Sequence, residues 1–243
     1  MALEYQRYGR NKNTLINKSY IDGGSYRKKY DKLTDNAEVN KALYDSAKAA
    51  LKHRSGTLFE DMYWIDGDSG QEIYSVTNST KEQTIVYTEK IQIVLKTNKN
   101  IVTLHTHPQS LPPSVDDFNS CYNNGYQFGV VACHDGKVFQ YFSSQQMSET
   151  LYNLYVFEFM ESGLTEYEAQ IQTLLKLKKS HAIDFQEVIW VAEERIFIDD
   201  RGIIPEEIRN MSSEERRKRI RQLEAEACTE KKEILKNKQK ETA

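Results

Sequence analysis

Apolar residues recur with a helical period in the segment that follows residue 34. The stripe consists of Val39, Leu43, Ala47, Ala50 and Leu51. This spacing predicts an amphipathic helix over residues 35–53, because positions three and four apart share one face of a helix. Asp35 and Glu38 have the spacing of a capping box, and Ser55-Gly56 marks the expected end of the helix.

Five stretches alternate between apolar and polar residues or are rich in β-branched residues, which predicts strands. They lie at residues 57–65, 71–77, 100–104, 127–134 and 137–142. Asp66–Gly70 and Asp135-Gly136 predict hairpin turns within the first and the last pair of strands. Residues 87–97 suit a helix or a strand, and their apolar spacing favours a short helix packed on the sheet.

Three further segments have helical patterns. They lie at residues 114–124, 148–161 and 164–179. Gly125 is expected to cap the first of them, and Gly163 to separate the other two. Residues 185–198 are apolar without a decisive period. The order of elements predicts an α/β (α+β) fold, a mixed sheet flanked by helices with a helical C-terminal extension.

Charge and pattern divide the chain into four parts. They are a basic N-terminal arm at 1–34, a core at 35–145, a helical extension at 146–204 and a charged tail at 205–243. In the arm, Tyr26 and Tyr30 flank three basic residues that could contact phosphates, but a solvated arm is the preferred interpretation. In the tail, 20 of 39 residues are charged and Ser212 and Glu215 have capping-box spacing. This predicts a solvated helix, a partner-binding helix or partial disorder.

Composition excludes several classes of protein. The net charge of the 243 residues is only −3, so no overall field favours nucleic acid. The three cysteines are an odd number without close pairing, which argues against a disulfide framework, and the lack of a Cys-x-x-Cys pair excludes a cysteine zinc ribbon. No apolar run approaches the roughly 18 residues of a membrane helix, and no signal peptide is evident. We therefore expect a cytoplasmic protein without a membrane or nucleic-acid partner.

The most specific chemistry follows the predicted strand 100–104, in His105-Thr106-His107. Residues two apart on a strand point to one face, about 7 Å apart along it, so both imidazoles can reach one ion. Ser114 opens the next predicted helix, and Asp117 lies in its first turn. Two imidazoles and one carboxylate form a three-ligand zinc site with a fourth position for water. Taken singly, each piece has an ordinary interpretation, a helix cap or a polar strand end.

Together, His105-x-His107-Pro108 and Ser114-x-x-Asp117 resemble the signature of the JAMM (MPN-plus) metalloproteases. Six residues separate His107 from Ser114, where the usual form of that signature has seven. The helix start and the Ser–Asp spacing are kept, which favours a shortened loop. The resemblance covers roughly residues 36–145 and implies a JAMM-like fold, similar to the fold of the cytidine deaminases.

The resemblance implies a zinc-dependent peptidase or isopeptidase. The implied Zn²⁺ ligands are His105, His107 and Asp117. Ser114 would stabilise the oxyanion, and a glutamate on an earlier strand would act as the general base. Glu60 is the preferred candidate, because it lies at the start of a predicted strand that directly follows a helix, with apolar neighbours on its face. Glu72, in the next predicted strand, is the alternative.

A second similarity extends beyond the metal motif. JAMM-type domains in head-morphogenesis (minor capsid) regions of Gram-positive phages and prophages resemble Lys52–Thr57, Glu60-Asp61-x-Tyr63 and the run from His105 to Ser114. This similarity implies the cytoplasm of a bacterium or a phage-infected host. It says little about the substrate, for which the metalloprotease resemblance implies a protein or peptide conjugate, and it makes a phage structural protein a possible partner of the terminal segments.

Two other functional classes fit parts of the pattern. A non-catalytic structural or interaction module in phage head assembly is the alternative, since many MPN relatives have lost their ligands and act as scaffolds. The presence of all five candidate residues argues against it. A zinc deaminase is excluded, because such a site needs Pro-Cys-x-x-Cys, which the sequence lacks.

Removal of residues 205–243 is expected to leave the fold of the remaining chain intact, because this segment has too few apolar residues to form a core. Thermal unfolding of the full and the truncated chain tests this expectation. A large fall in melting temperature on truncation would contradict it.

Overall fold

The computed structural model describes residues 14–179 and 183–189 and, in the tail, Ser212, Glu214, Glu215 and Lys218. Two compact units are distinguished, Met1–Trp190 and Val191–Ala243. Among the described residues, no helix is both long and apolar enough to span a bilayer.

The first unit is a layered α/β structure. Its helices are α1 (Lys18–Ile21), α2 (Gly24–Lys28), α3 (Ala37–Arg54), α4 (Glu89–Thr97), α5 (Val115–Asn124), α6 (Glu149–Glu161) and α7 (Glu166–Lys179). Its strands are β1 (Met62–Asp66), β2 (Glu72–Val76), β3 (Ile101–His107), β4 (Phe128–Cys133), β5 (Val138–Ser143) and β6 (Ile183–Glu187). They form one mixed sheet of six strands in the order β2-β1-β3-β4-β5-β6. The predicted mixed sheet flanked by helices is therefore confirmed.

The described sheet contains one pair of parallel neighbouring strands. β3 and β4 are parallel neighbours, and α5 lies in the connection between them. The pairs β1–β2, β1–β3, β4–β5 and β5–β6 are antiparallel. The C-terminal end of β3 thus leads directly into the loop that precedes α5.

Each face of the sheet has its own core. Tyr63, Ile65, Val102 and Leu104 pack with residues of α1, α2 and α3. Met62, Trp64, Ile101 and Val131 pack with residues of α4, α5, α6 and α7. Neighbouring residues of β1 and β3 therefore enter opposite cores, as the two-residue period of a strand requires. By the same alternation, the histidines of β3 share the face of Ile101.

Most predicted elements are present, with small shifts. α3 carries the predicted stripe, which is fully buried. Its cap is Asn36, whose side chain accepts the N–H groups of Glu38 and Val39, so the prediction of Asp35 as the cap is wrong by one residue. Residues 87–97 contain α4, which confirms the helical alternative. Gly125 caps α5 in the left-handed conformation, as expected.

Strand boundaries differ more from the predictions. β1 begins at Met62, so the predicted strand start at residue 57 is wrong. The preceding segment makes an isolated bridge between Phe59 and Glu82. The predicted strand 100–104 continues through His107. Part of the unassigned run 185–198 belongs to β6, which pairs with β5, and its residues from 190 on lie outside the described residues.

The described part of the N-terminal arm packs on the core through its apolar and tyrosine side chains while Arg27 and Lys28 stay exposed, so the prediction of a solvated arm is correct only in part for residues 14–34. Ile21, Tyr26 and Tyr30 are fully buried, and the two tyrosine hydroxyls lie 2.7 Å apart. The Lys29 ammonium donates to the carbonyl of Gly136 at 2.8 Å. Residues 1–13 lie outside the described residues. The domain boundaries drawn at residues 34, 145 and 204 stay predictions.

In the tail, the capping-box spacing is matched by hydrogen bonds. The N–H of Ser212 donates to a carboxylate oxygen of Glu215 at 2.7 Å, and the N–H of Glu215 donates to the Ser212 hydroxyl at 3.3 Å. The four described tail residues are exposed. The remaining expectations for the tail concern residues outside the described part of the chain.

A buried carboxylate anchors the segment before β1 to α3. Asp61 is fully buried and accepts from Arg54 Nε at 2.5 Å and from His53 Nδ1 at 2.7 Å. Arg54 also donates to the carbonyl of Thr77 at 2.7 Å. The backbone of Asp61 exchanges bonds with Thr106, from Thr106 N–H to the Asp61 carbonyl and from Asp61 N–H to the Thr106 hydroxyl, both 3.2 Å. Asp61 therefore fixes α3, β1 and β3 relative to one another.

Asp61→Asn is expected to lower the free energy of unfolding by about 3–5 kcal/mol, because it leaves the buried Arg54 guanidinium without its counter-charge. Urea unfolding measures the change. Asp22→Asn is the control, since Asp22 pairs with Lys48 and Lys52 at the surface, where ion pairs contribute little. Equal losses in the two variants would contradict the anchoring role of Asp61.

Candidate metal centre

Three side chains converge where β3 ends and α5 begins. The Nε2 atoms of His105 and His107 lie 3.0 Å apart. Asp117 places Oδ1 3.1 Å from His105 Nε2 and Oδ2 3.4 Å from His107 Nε2. Donors to one tetrahedral Zn²⁺ at about 2.0–2.1 Å stand about 3.3 Å from one another. Within the described residues this is the one cluster of three or more potential metal ligands.

The loop before α5 fixes the orientation of His107. Its Nδ1 lies 2.9 Å from the carbonyl oxygen of Leu111. A carbonyl only accepts, so Nδ1 carries a hydrogen, and Nε2 faces the cluster, where it can bind an ion once its own proton has left. Metal-binding histidines commonly donate their second ring N–H in this way.

Ser114 orients Asp117 through a helix cap. The N–H and the hydroxyl of Ser114 both donate to Asp117 Oδ2, at 2.6 and 2.8 Å. The N–H of Asp117 returns a bond to the Ser114 hydroxyl at 3.3 Å. The motif is therefore a true capping box, and its carboxylate also belongs to the cluster. Ser-x-x-Asp can therefore be a helix cap and part of the metal cluster at the same time.

The cluster favours positive charge at its centre. Burial opposes protonation of His107, yet its hydrogen bond to Asp117 and the charges of Asp117 and Glu60 raise the pKa of His107 to about 9. Burial likewise opposes ionisation of Asp117, but His105 and His107 hold the pKa of that carboxyl well below its usual range. A divalent cation would benefit from the same field.

The cluster lies at the wall of a cavity of about 490 Å³, which Glu60 also lines. Met62 pairs with His105 across β1 and β3, so Glu60, two residues earlier, continues toward the end of β3 on the same face. Glu60 is 8% exposed. Glu72 is exposed at the start of β2 and lies outside this lining. Glu60 lies before β1 and not within it, but it is on the same side of the sheet as Met62, as predicted.

All five candidate residues of the sequence therefore line one cavity: Glu60, His105, His107, Ser114 and Asp117. Other lining residues were not predicted, among them Tyr87, Tyr141 of β5, Tyr152 of α6 and Gln170 of α7. They come from distant elements, and no local sequence signal marks them. The helical extension thus forms part of the cavity wall.

His134 lies apart from the cluster, as expected for a structural residue. It is buried, and its Nδ1 donates to the carbonyl of Thr14 at 2.6 Å. The bond ties the end of β4 to the first described residue of the chain.

The donor set fits a first-row divalent ion. Imidazole nitrogen with carboxylate oxygen suits Zn²⁺, although the same set also suits other ions of that row. The helix position of Asp117 and the hydrogen bond of His107 supply the outer support that such sites need.

The geometry leads us to expect about one bound Zn²⁺ per chain and its loss in His107→Ala, because two remaining donors hold an ion poorly. Metal analysis after dialysis without chelator measures the content. Asp116→Asn is the matched control, since Asp116 lines the same cavity but is outside the cluster. Wild-type protein that stays metal-free after refolding with excess zinc would reject the site.

No protein-family model, no curated protein and no solved structure gives a significant match to this chain. The interpretation of the cluster therefore depends on its donor atoms, their geometry and the cavity beside them.

Proposed function

We propose that this chain is a zinc-dependent peptidase or isopeptidase of the JAMM type. The observation that carries the proposal is the convergence of His105, His107 and Asp117 within 3.0–3.4 Å, beside the buried Glu60. The mixed sheet, with the cluster at the end of its central strand β3, is compatible with a JAMM-like fold. That finer fold assignment is part of the proposal.

The catalytic roles follow from the chemistry of the donors. Zn²⁺ bound by this cluster would lower the pKa of water to about 7 and polarise the scissile carbonyl. Glu60 takes the proton of the attacking water and passes it to the leaving amine. Its low exposure limits its contact with bulk solvent, and its charge already acts on the neighbouring His107.

Ser114 has two tasks in this scheme. Its hydroxyl donates to Asp117 and so orients the proposed ligand. As an oxyanion donor it would have to turn toward the substrate, and a donor in that role contributes about 2.7–4 kcal/mol to transition-state stabilisation where it has been measured.

The cavity suits a short polypeptide segment. Its volume of about 490 Å³ is in the range of sites that enclose a small ligand. Amide side chains of Gln83, Gln109, Asn153 and Gln170 line it and offer both donors and acceptors to a peptide backbone. We therefore favour an extended peptide or a peptide conjugate as substrate.

The phage context belongs to the same proposal. It is supported by the resemblance of Lys52–Thr57 and the histidine motif to domains of phage head-morphogenesis regions. It implies a role in the cytoplasm of a bacterium or an infected host, with a phage structural protein as partner.

A non-catalytic structural or interaction module is the second candidate. Leu154 and Phe157 are 58% and 53% exposed and lie three residues apart on one face of α6, and a contiguous exposed apolar patch, unlike a single exposed residue, can mark a contact with another protein. The two candidates differ in metal content and hydrolysis, because a scaffold requires neither.

Glu60→Gln is expected to keep fold and zinc but to lose hydrolysis by about 10²–10⁴-fold, because the nearly isosteric amide cannot accept the proton. Asp117→Asn is expected to lose zinc, since a neutral amide is a poorer ligand than a carboxylate. Metal content and cleavage of a pool of internally quenched linear and lysine-branched peptides measure both effects.

Glu72→Gln is the matched control for the general base, because Glu72 is a strand glutamate outside the cavity. It is expected to keep both zinc and activity. A fully active Glu60→Gln together with an inactive Glu72→Gln would show that the base lies on the other strand.

A further inference from the structure

His105 differs from the other members of the cluster in how it is held. His107 is bonded to the Leu111 carbonyl and Asp117 to Ser114. The Nδ1 atom of His105 is buried without a hydrogen-bond partner among the described residues. Metal-binding imidazoles almost always donate this second N–H. Something other than a hydrogen bond must fix the ring.

The ring of Tyr141 contacts the His105 ring instead. It comes from β5, two strands away from β3, and meets the His105 ring edge to face, with centroids 6.2 Å apart and planes at 84°. Phe118 of α5 contacts Tyr141 at 5.3 Å and 69°. Tyr141 is 2% exposed. It therefore links the strand that carries the histidines to the helix that carries Asp117.

A glycine on β4, between β3 and β5, leaves room for the Tyr141 side chain to extend toward His105. Gly129 of β4 is the register partner of Tyr141 on β5. A Cβ atom at Gly129 would lie 2.1 Å from Cζ and 2.3 Å from the hydroxyl oxygen of Tyr141. The end of the tyrosine ring thus lies directly over the glycine backbone. Any larger residue at 129 would push the ring away from this place.

We propose that Tyr141 is the positioning residue of His105 and that Gly129 is the residue that admits it. The aromatic contact holds the imidazole so that Nε2 points at the ion, in place of the missing Nδ1 hydrogen bond. This inference rests on the proposed metal site. It predicts that metal affinity depends on a ring on β5 that is itself no ligand.

Phe139 is a control that distinguishes a positioning effect on His105 from a loss of ordinary core packing. Phe139 lies two residues earlier on the same face of β5 and is fully buried. Its ring stacks on Phe185 at 5.6 Å and does not line the cavity. Loss of its ring removes core contacts without touching the cluster.

The test compares Tyr141→Leu, Tyr141→Phe and Phe139→Leu by titration with Co²⁺ and with Zn²⁺ against a chelating dye. Circular dichroism and thermal unfolding of the metal-free proteins record their folding. Tyr141→Leu is expected to weaken binding about 10- to 100-fold, the usual effect of losing outer support of a ligand. Tyr141→Phe should stay within about threefold of wild type, because it keeps the ring that makes the contact. Phe139→Leu should lower stability but not affinity.

Gly129→Ala is a second, independent way to displace the Tyr141 ring, because the added Cβ would overlap it. It should weaken binding alone, and the double variant Gly129→Ala/Tyr141→Leu should bind no more weakly than Tyr141→Leu, since both act through one contact. The visible spectrum of bound Co²⁺ should change in Gly129→Ala if the imidazole has moved. Tyr141→Met replaces Tyr141→Leu if the latter does not fold.

Equal metal affinity of wild type and Tyr141→Leu would overturn this inference and leave the proposed function standing. An equal loss of affinity in Phe139→Leu would also overturn it, because the effect would then be general destabilisation. Wild-type protein that binds neither ion would overturn the proposed function, and this inference with it.

Discussion

The alternation of side chains along β3 is the constraint on which the other parts of the site depend. β3 is paired on both edges, so each of its residues is committed to one of the two cores. A slip of one residue would carry both histidines to the face covered by α3. The bonds between Asp61 and Thr106 fix the register at the end of the strand, where the slip would matter most.

The cluster could be predicted because its signals are local. The histidines are two residues apart on a strand, and Ser114 and Asp117 three apart at a helix start, so the spacing alone determines which side chains share a face. The search for a glutamate came from the resemblance to the metalloproteases, and alternation predicted only the face of Glu60, even though β1 begins later than expected. A strand boundary can shift without changing the face of a residue.

Other features could not be predicted because they depend on distant contacts. α1 and α2 have only four and five residues, too few for a helical period, so no sequence pattern marked Ile21 and Tyr26 as buried. Tyr141 is one aromatic residue in an apolar strand, and only its approach to Gly129 and His105 distinguishes it from Phe139. Asn36 and Asp35 are equally good caps by residue type, and tertiary geometry selects between them.

The six-residue loop between His107 and Ser114 has a thermodynamic consequence. Leu111, Pro112 and Pro113 are buried, and Ser110 holds a left-handed conformation, with φ of 56°, that is unfavourable for a side chain. The entropy of ordering this loop is therefore lost when the chain folds, not when an ion arrives. An ion entering the proposed site would then require no ordering of this loop, so the heat capacity change of binding should be small.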